Sequence, residues 1–382
     1  MPLYDCIIVG AGPAGASAAY HLSDRGHSVL LLEKASLPRY KPCGGGVSPE
    51  IAQWFDFSFE PVISQKVTRA RYTWKLGEVI EADLGTDIWM VRRNEFDHHI
   101  VKQAQKKGTV LQDETKATGI AFEDGCWRVT TSRPATGQAE TLKGRYLIAA
   151  DGGRGPMAKW LGFGDRTTNI AGAIEIEPKL TINDGHVVHF EFGLLKNGYV
   201  WNFPKADGYS IGSGAFNTNQ RKGRDLVEPM VDYAKAFDVD GAAEQKHGHP
   251  VCLWDGDQRL HTTHALLAGE AACVVDPFTA EGIRPSMFTG VKAAEAIDLA
   301  LSGDESALAN YTEIVKTDIG SEMRLAARLA QAFYTAPHLS YKAILNQPSA
   351  TLAMGKIFTG ELKYADMVGK ALKRLSGGLI GA

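Results

Sequence analysis

The sequence predicts an α/β protein. A Rossmann-like domain with a parallel sheet carries an inserted antiparallel-sheet domain and is followed by a helical C-terminal region. The first 32 residues have the order strand, glycine turn, helix, strand, which is a βαβ unit with parallel pairing. Residues 171–214 show short alternating strands with turn glycines, typical of an antiparallel sheet. Residues 307–373 have mostly helical spacing, with breaks near Pro337 and Pro348.

The individual elements of the first domain follow from apolar periodicity and glycine stops. Residues 56–89 have a mixed pattern that favours neither helices nor strands. The expected strands are Tyr4–Val9, Ser28–Leu32, around Val110, Trp127–Thr130, Tyr146–Ala150 and Ala265–Ala268, and the expected helices are Ala16–Leu22, Glu95–Lys107 and Gly282–Leu301.

Composition narrows the class of protein. A formal net charge of -3 gives no basic surplus, so nucleic acid is not expected as a partner. The five cysteines are scattered and never form a CxxC pair, which argues against a disulfide framework and against a cysteine zinc site. From this use of cysteine we expect a reducing, cytoplasmic protein. Since no apolar stretch reaches the roughly 18 residues of a membrane span, any membrane association is expected to be peripheral.

The segment from Gly10 to Gly15 has the GxGxxG pattern of a dinucleotide-binding loop. Its glycines permit a tight turn, a close approach of the backbone to a pyrophosphate and close packing of helix on strand. Glu33 ends the next predicted strand, where a carboxylate can bind ribose hydroxyls. Because this acid disfavours a 2′-phosphate, the site suits FAD or NAD better than NADP.

Five further segments resemble the motifs of the geranylgeranyl reductase family, flavoproteins whose fold is similar to that of aromatic hydroxylases. Together they extend the resemblance over about residues 1 to 300. The segments are Pro38–Gly46 (PxxKxCGGG), Arg93 with Phe96 and Asp97 (RxxFD), Asp151-Gly152 (DG), Tyr199–Lys205 (YxWxFPK), and Gly269–Ala272 with Gly282-Ile283, which resembles a second flavin fingerprint.

The resemblance implies an FAD site and a domain division. One position departs from the family pattern: Glu270 stands where an aspartate is usual. The division is 1–55, 90–160 and 263–303 for the FAD-binding domain, 56–89 and 161–262 for a substrate-binding domain, and 304–382 for the C-terminal region. The implied FAD ligands are Gly10, Gly12, Pro13, Ala14, Gly15, Glu33, Lys34, Arg39, Cys43, Gly44, Gly45, Gly46, Arg93, Ala117, Asp151, Gly152, Glu270, Gly282 and Ile283.

The family reaction implies the catalytic candidates. Isolated alkenes of prenyl chains are saturated by hydride transfer from reduced flavin N5 and by a proton. Cys43, which precedes three glycines, Tyr199 and an ordered water are all open as the proton source. Tyr199, Trp201 and Phe203 alternate along one strand face, where they could wall a slot for an apolar chain. The electron donor is NADPH or ferredoxin, since the sequence has no second GxGxxG.

Several alternatives stay open. An FAD-dependent monooxygenase or halogenase shares part of the motif set, and a non-catalytic prenyl-lipid-binding flavoprotein is a further possibility. The substrate can be a free diphosphate, a lipid-linked chain or a pigment ester. His247 with His249, and His261 with His264, lack partners at ligand spacing, so we expect loop residues and no metal. A basic, apolar segment over 354–375 favours a helix packed on its own domain, with a membrane surface as the alternative.

Overall fold

The computed structural model describes residues 2–164, 168–182, 184–216, 224–256, 258–345 and 347–367. Two eight-stranded sheets and a layer of helices make up these parts of the chain. The predicted fold class is confirmed. None of the helices in the described ranges is both long enough and apolar enough to cross a membrane.

The first sheet contains the predicted βαβ unit. Strand β1 pairs in parallel with β2 on one side and with β9 on the other, and the strand order is β15-β16-β9-β1-β2-β6, with β7 and β8 continuing from β9. The strands are β1 (Leu3–Val9), β2 (Val29–Leu32), β6 (Val110–Gln112), β7 (Lys116–Glu123), β8 (Cys126–Arg133), β9 (Gln138–Ala149), β15 (His261–Thr262) and β16 (Ala265–Leu267).

The helices of this domain cover the parallel strands, which explains why those strands are apolar on both faces. Every residue of β2 is buried. The helices are α1 (Pro13–Asp24), α2 (Arg93–Lys106) and α4 (Ile283–Leu301).

The second sheet is mostly antiparallel, as residues 171–214 predict. Its order is β14-β10-β13-β12-β11-β4-β5-β3, and β11 with β4 is a parallel pair. Helix α3 (Arg224–Ala234) packs on β13. The strands are β3 (Gly46–Val47), β4 (Ile63–Trp74), β5 (Gly77–Val91), β10 (Asn169–Ile176), β11 (Val187–Phe192), β12 (Gly198–Lys205), β13 (Gly208–Ala215) and β14 (His247–Leu253).

The C-terminal region is helical, with the expected breaks. Helix α6 ends before Pro337, and α8 begins at Pro348. Helix α8 packs on β5, so this region covers the second sheet. Its helices are α5 (Ala307–Val315), α6 (Ser321–Thr335), α7 (Pro337–Ser340) and α8 (Pro348–Phe358).

Three details differ from the sequence-based expectations. Residues 63–91, most of which lie where the sequence favoured neither helices nor strands, form the long hairpin of β4 and β5. The pairing of these strands shifts register at three places, which interrupts the alternation of apolar and polar residues. His247, His249 and His261 lie on strands rather than in loops. Cys252 and Cys273 form a disulfide, which their 21-residue separation did not reveal. The domain boundaries stay a prediction.

Candidate active site

A single cavity of about 1010 Å³ brings the predicted site residues together. It joins the glycine loop after β1, the Cys43–Gly46 segment, the end of β9 and one face of β12. Of the predicted FAD and substrate residues, all but Gly15 line this cavity. Gly15 instead lies against Gly10, where a Cβ atom would stand 1.9 Å from the Gly10 carbonyl oxygen. Its role is therefore close packing of α1 on the turn.

The glycine loop makes a tight turn that leads into helix α1. Gly10 has a φ of +106°, and a Cβ atom there would lie 2.3 Å from the Ala150 carbonyl oxygen. Gly12 is the N-cap residue and has no side chain to cap the first N–H groups of α1. These N–H groups and the positive end of the helix dipole suit a pyrophosphate.

Glu33 connects the glycine loop to helix α2. Its carboxylate accepts from the Ala11 amide and from Arg39 Nε, both at 3.1 Å. Arg39 Nη1 lies 3.2 Å from Asp97, and Asp97 binds Arg93 through two hydrogen bonds of 2.7 and 2.8 Å. Burial by itself would lower the pKa of Arg93, but the Asp97 carboxylate outweighs burial and raises it. The guanidinium is therefore a fixed positive charge beside the cavity.

The Cys43–Gly46 segment is hydrogen-bonded to the second sheet. Lys205 Nζ donates to the carbonyl oxygens of Gly44 at 2.6 Å and Val91 at 3.0 Å. Burial lowers the pKa of Lys205 to about 8. A Cβ atom on Gly44 would stand 2.8 Å from the Phe203 ring, and one on Gly45 would stand 2.1 Å from the Val91 carbonyl oxygen. Only glycine fits this close approach of backbone to sheet.

One face of β12 forms the aromatic wall of the cavity. Tyr199, Trp201 and Phe203 alternate along the strand, as predicted, and Phe190 of β11 contacts the first and last of them edge-on. The Tyr199 hydroxyl donates to the Thr279 carbonyl oxygen at 2.7 Å, and burial raises the pKa of this phenol. Further apolar lining comes from β4, β5, β11 and the C-terminal helices, at Tyr72, Leu84, Ile88, Met90, Val188, Phe192, Phe333, Met354 and Phe358.

Glu270 belongs to an ion-pair cluster in the lining of the cavity. Its carboxylate contacts His249 Nε2 at 3.1 Å and Lys41 Nζ at 3.7 Å, and it accepts from the Cys252 amide at 3.3 Å. Burial would raise the pKa of Glu270, but these contacts outweigh it and lower the pKa to about 2. The carboxylate is therefore ionised at neutral pH.

Three lining or supporting residues were not among the predicted site residues. Lys41 and Lys205 lie inside the PxxKxCGGG and YxWxFPK segments, so those motifs could have indicated them. Glu175 of β10 lines the cavity and binds the Cys43 amide, yet it lies 132 residues further along the chain. No local pattern in the sequence signals this contact.

The residues present fit a dinucleotide such as FAD. Gly10 and Gly12 bring bare backbone to the cavity surface, Glu33 stands at the end of β2, and the cationic Arg39 and Arg93 line the same cavity. The part of the cavity that the aromatic wall of β12 lines is apolar and suits a hydrocarbon. The cavity thus combines a nucleotide-binding half with an apolar half.

Comparisons with known proteins identify a family and a fold for this chain. The family described as FAD binding domain matches residues 4–204. An uncharacterized protein of Methanosarcina barkeri is 30% identical, with 91% of this chain and 88% of that protein covered. Digeranylgeranylglycerophospholipid reductase 1 of Methanothermobacter thermautotrophicus is 27% identical, with 93% and 98% covered. A solved geranylgeranyl bacteriochlorophyll reductase-like protein of Thermoplasma acidophilum has a TM-score of 0.84 at 20% identity, with 97% and 98% covered.

Proposed function

The chain belongs to the FAD binding domain family, and from this membership we propose that it is an FAD-dependent reductase that saturates C=C bonds of geranylgeranyl chains. The observation that carries the proposal is the single cavity that joins the nucleotide-binding loop to an aromatic, apolar arm. The Methanothermobacter relative, named as a digeranylgeranylglycerophospholipid reductase, supports a prenyl lipid as the substrate class.

Different residues of the chain would bind different parts of FAD. The N-terminus of α1 would hold the pyrophosphate, and Glu33 would hold the adenosine ribose. Glu270 would bind the ribityl chain, and the Cys43–Gly46 segment would lie against the flavin ring. Bound and reduced FAD would supply the hydride for one alkene carbon.

The remaining residues align the alkene and provide its proton. An isolated alkene has no carbonyl group to polarise, so the rate depends on alignment and on a placed acid. Tyr199, Trp201 and Phe203 would fix the chain against the flavin side of the cavity. Of the two side-chain acids, we favour Cys43 over Tyr199, because the Tyr199 hydroxyl hydrogen is already directed to the Thr279 carbonyl.

The electron donor and the membrane contact stay proposals. NADPH and ferredoxin remain the two candidate donors. Of the basic and apolar residues in 354–375, those from Val368 onward lie outside the described residues. Met354 and Phe358 line the cavity, which supports a helix packed on its own protein rather than on a membrane.

The test is anaerobic reduction of prenyl substrates by the chemically reduced protein, followed by mass spectrometry. A geranylgeranyl phospholipid, a free diphosphate and a pigment ester are offered in parallel. We expect the addition of two hydrogens per double bond to at least one of them. Hydroxylated or halogenated products under oxygen would instead assign the protein to the monooxygenase or halogenase class. Binding without saturation under every reductant would indicate a non-catalytic lipid-binding flavoprotein.

A further inference from the structure

Glu175 is a buried carboxyl group directly beneath the Cys43–Gly46 segment. One carboxyl oxygen accepts from the Cys43 amide at 2.7 Å and from the Tyr40 hydroxyl at 2.9 Å. The other accepts from the Ser210 hydroxyl at 3.1 Å. The Trp201 indole donates to the same Ser210 oxygen at 3.3 Å. The carboxyl group therefore links the Cys43 segment to the aromatic wall.

The partners of Glu175 are neutral. No lysine, arginine or histidine of the described ranges forms an ion pair with it, whereas Glu33 pairs with Arg39 and Glu270 with His249. Burial, assisted by the charge of Glu177, raises the pKa of Glu175 to about 7. A carboxyl group in this environment exchanges its proton in the neutral range instead of staying ionised.

The hydrogen-bond partners allow both protonation states. Hydroxyl groups can donate or accept, so Tyr40 and Ser210 satisfy either the carboxylate or the carboxylic acid. Tyr40 is also 42% exposed, and its ring contacts His247 with centroids 4.4 Å apart. Tyr40 is thus a partly exposed residue in direct contact with the buried carboxyl group.

Charged and titratable groups face this region from several elements. Glu177 follows β10, Arg92 precedes α2 and pairs with Glu177, and His247 is the cross-strand neighbour of Glu175 on β14. The charged and titratable groups around Glu175 and Cys43 include Tyr40, Lys41, Arg92, Arg93, Glu177, Tyr199, Lys205 and His247, and, one contact further away, Asp97, His249 and Glu270.

We propose that Glu175 is the proton-exchanging positioning residue of the cavity: it holds Cys43 through its amide and takes up protons from solvent through the Tyr40 hydroxyl. This role rests on the proposed alkene reduction, in which each saturated bond consumes one hydride and one proton. The cavity acid gives its proton to carbon and regains one from water; Glu175, which contacts Cys43 at the backbone amide, holds this acid in position and exchanges its own proton with water. Glu175 exchanges protons only, and no electrons pass through it.

The primary test does not depend on turnover. We expect the infrared spectrum of the full-length protein to contain carboxylic acid absorption that titrates near pH 7, from Glu175 and from Glu281, whose pKa burial also raises to about 7. The Glu175 contribution should be lost in Glu175→Gln. Glu191→Gln is the matched control, because Glu191 is equally buried in the second sheet but lies outside the cavity lining. In Tyr40→Phe the band should persist, while its exchange in heavy water becomes slower.

Titration of this band in Glu175→Gln as in wild type would overturn the assignment. Unchanged exchange in Tyr40→Phe would overturn the solvent route. In single-turnover reactions at equal FAD occupancy, Glu175→Gln should lose the pH dependence near 7 and slow by about tenfold, less than the roughly hundredfold expected for a direct proton donor. An unchanged pH profile would contradict the proposal. If the wild type saturates no prenyl alkene, the proposed function fails, while the infrared result still decides whether Glu175 exchanges protons.

Discussion

Lys205 reaches from β12 to the carbonyl oxygen of Gly44, 161 residues earlier in the chain, and binds it at 2.6 Å. The same ammonium group holds the Val91 carbonyl at the end of β5. The backbone of the triple glycine is thereby fixed to the second sheet at its first residue. Because this backbone is proposed to lie against the flavin ring, we expect loss of the Lys205 contact to change both the stability of the protein and the reaction of its flavin.

Lys205→Met should keep the length of the side chain but leave the two carbonyl groups without their donor. Each unsatisfied buried carbonyl costs about 1–3 kcal/mol, so we expect a lower free energy of unfolding in urea. FAD should still bind through the glycine loop, while single-turnover flavin reoxidation slows. Lys196→Met, at an exposed position, is the control. Equal stability and equal rate in Lys205→Met would contradict the positioning role.

Cys43→Ala separates flavin binding from proton donation. The glycine loop and Glu33 lie elsewhere in the cavity, so FAD occupancy should be preserved. If the thiol donates the proton, anaerobic reoxidation of reduced flavin by a prenyl substrate should slow by about a hundredfold or more. A loss below about tenfold would indicate a packing role. Cys126→Ala, at a half-exposed thiol on β8, should leave the rate unchanged.

Glu270→Gln should remove a pH-dependent contribution to stability. The pKa of Glu270 is lowered from 4.5 to about 2, so its stabilising effect is present above about pH 4.5 and is lost as the pH falls toward 2. The shift corresponds to about 3 kcal/mol at neutral pH. Urea unfolding at neutral and acidic pH should show the difference between wild type and variant shrinking in acid. Glu313→Gln, which changes an exposed carboxylate, should show no such change. If the difference in free energy of unfolding between wild type and Glu270→Gln does not vary with pH, the ion pairs of Glu270 do not stabilise the protein as proposed.

Gly212→Ala tests the aromatic wall by a substitution at a position outside the cavity lining. A Cβ atom at Gly212 would stand 2.2 Å from the Trp201 ring, so the ring must move into the cavity. We expect the KM for the prenyl substrate to rise by about tenfold, with unchanged FAD content. Gly119→Ala is the control, since a Cβ atom at that position on β7 meets no atom within 4 Å. Equal KM values in the two variants would argue against a substrate role for Trp201.

Much of the nucleotide-binding half was predictable from short stretches of chain. The apolar runs on both sides of Gly10–Gly15 lie within the first 32 residues, and the structure gives β1, α1 and β2 close to the expected bounds. The hairpin of β4 and β5 was missed because its register shifts interrupt the alternation that identifies strands. The Cys252–Cys273 disulfide was missed because cysteine spacing does not show that a residue of β14 and the residue after a short helix come together.

The sequence alone determined the βαβ unit, the open glycine loop and the alternating aromatic residues of β12, because each follows from local periodicity and from the backbone freedom of glycine. Only the tertiary structure decided that Lys205 holds Gly44, that Glu175 lies beneath Cys43 and that Glu270 pairs with His249. These contacts join residues of different sheets or distant loops. Their geometry depends on how the second sheet packs against the first domain, and no local pattern of the chain encodes that packing.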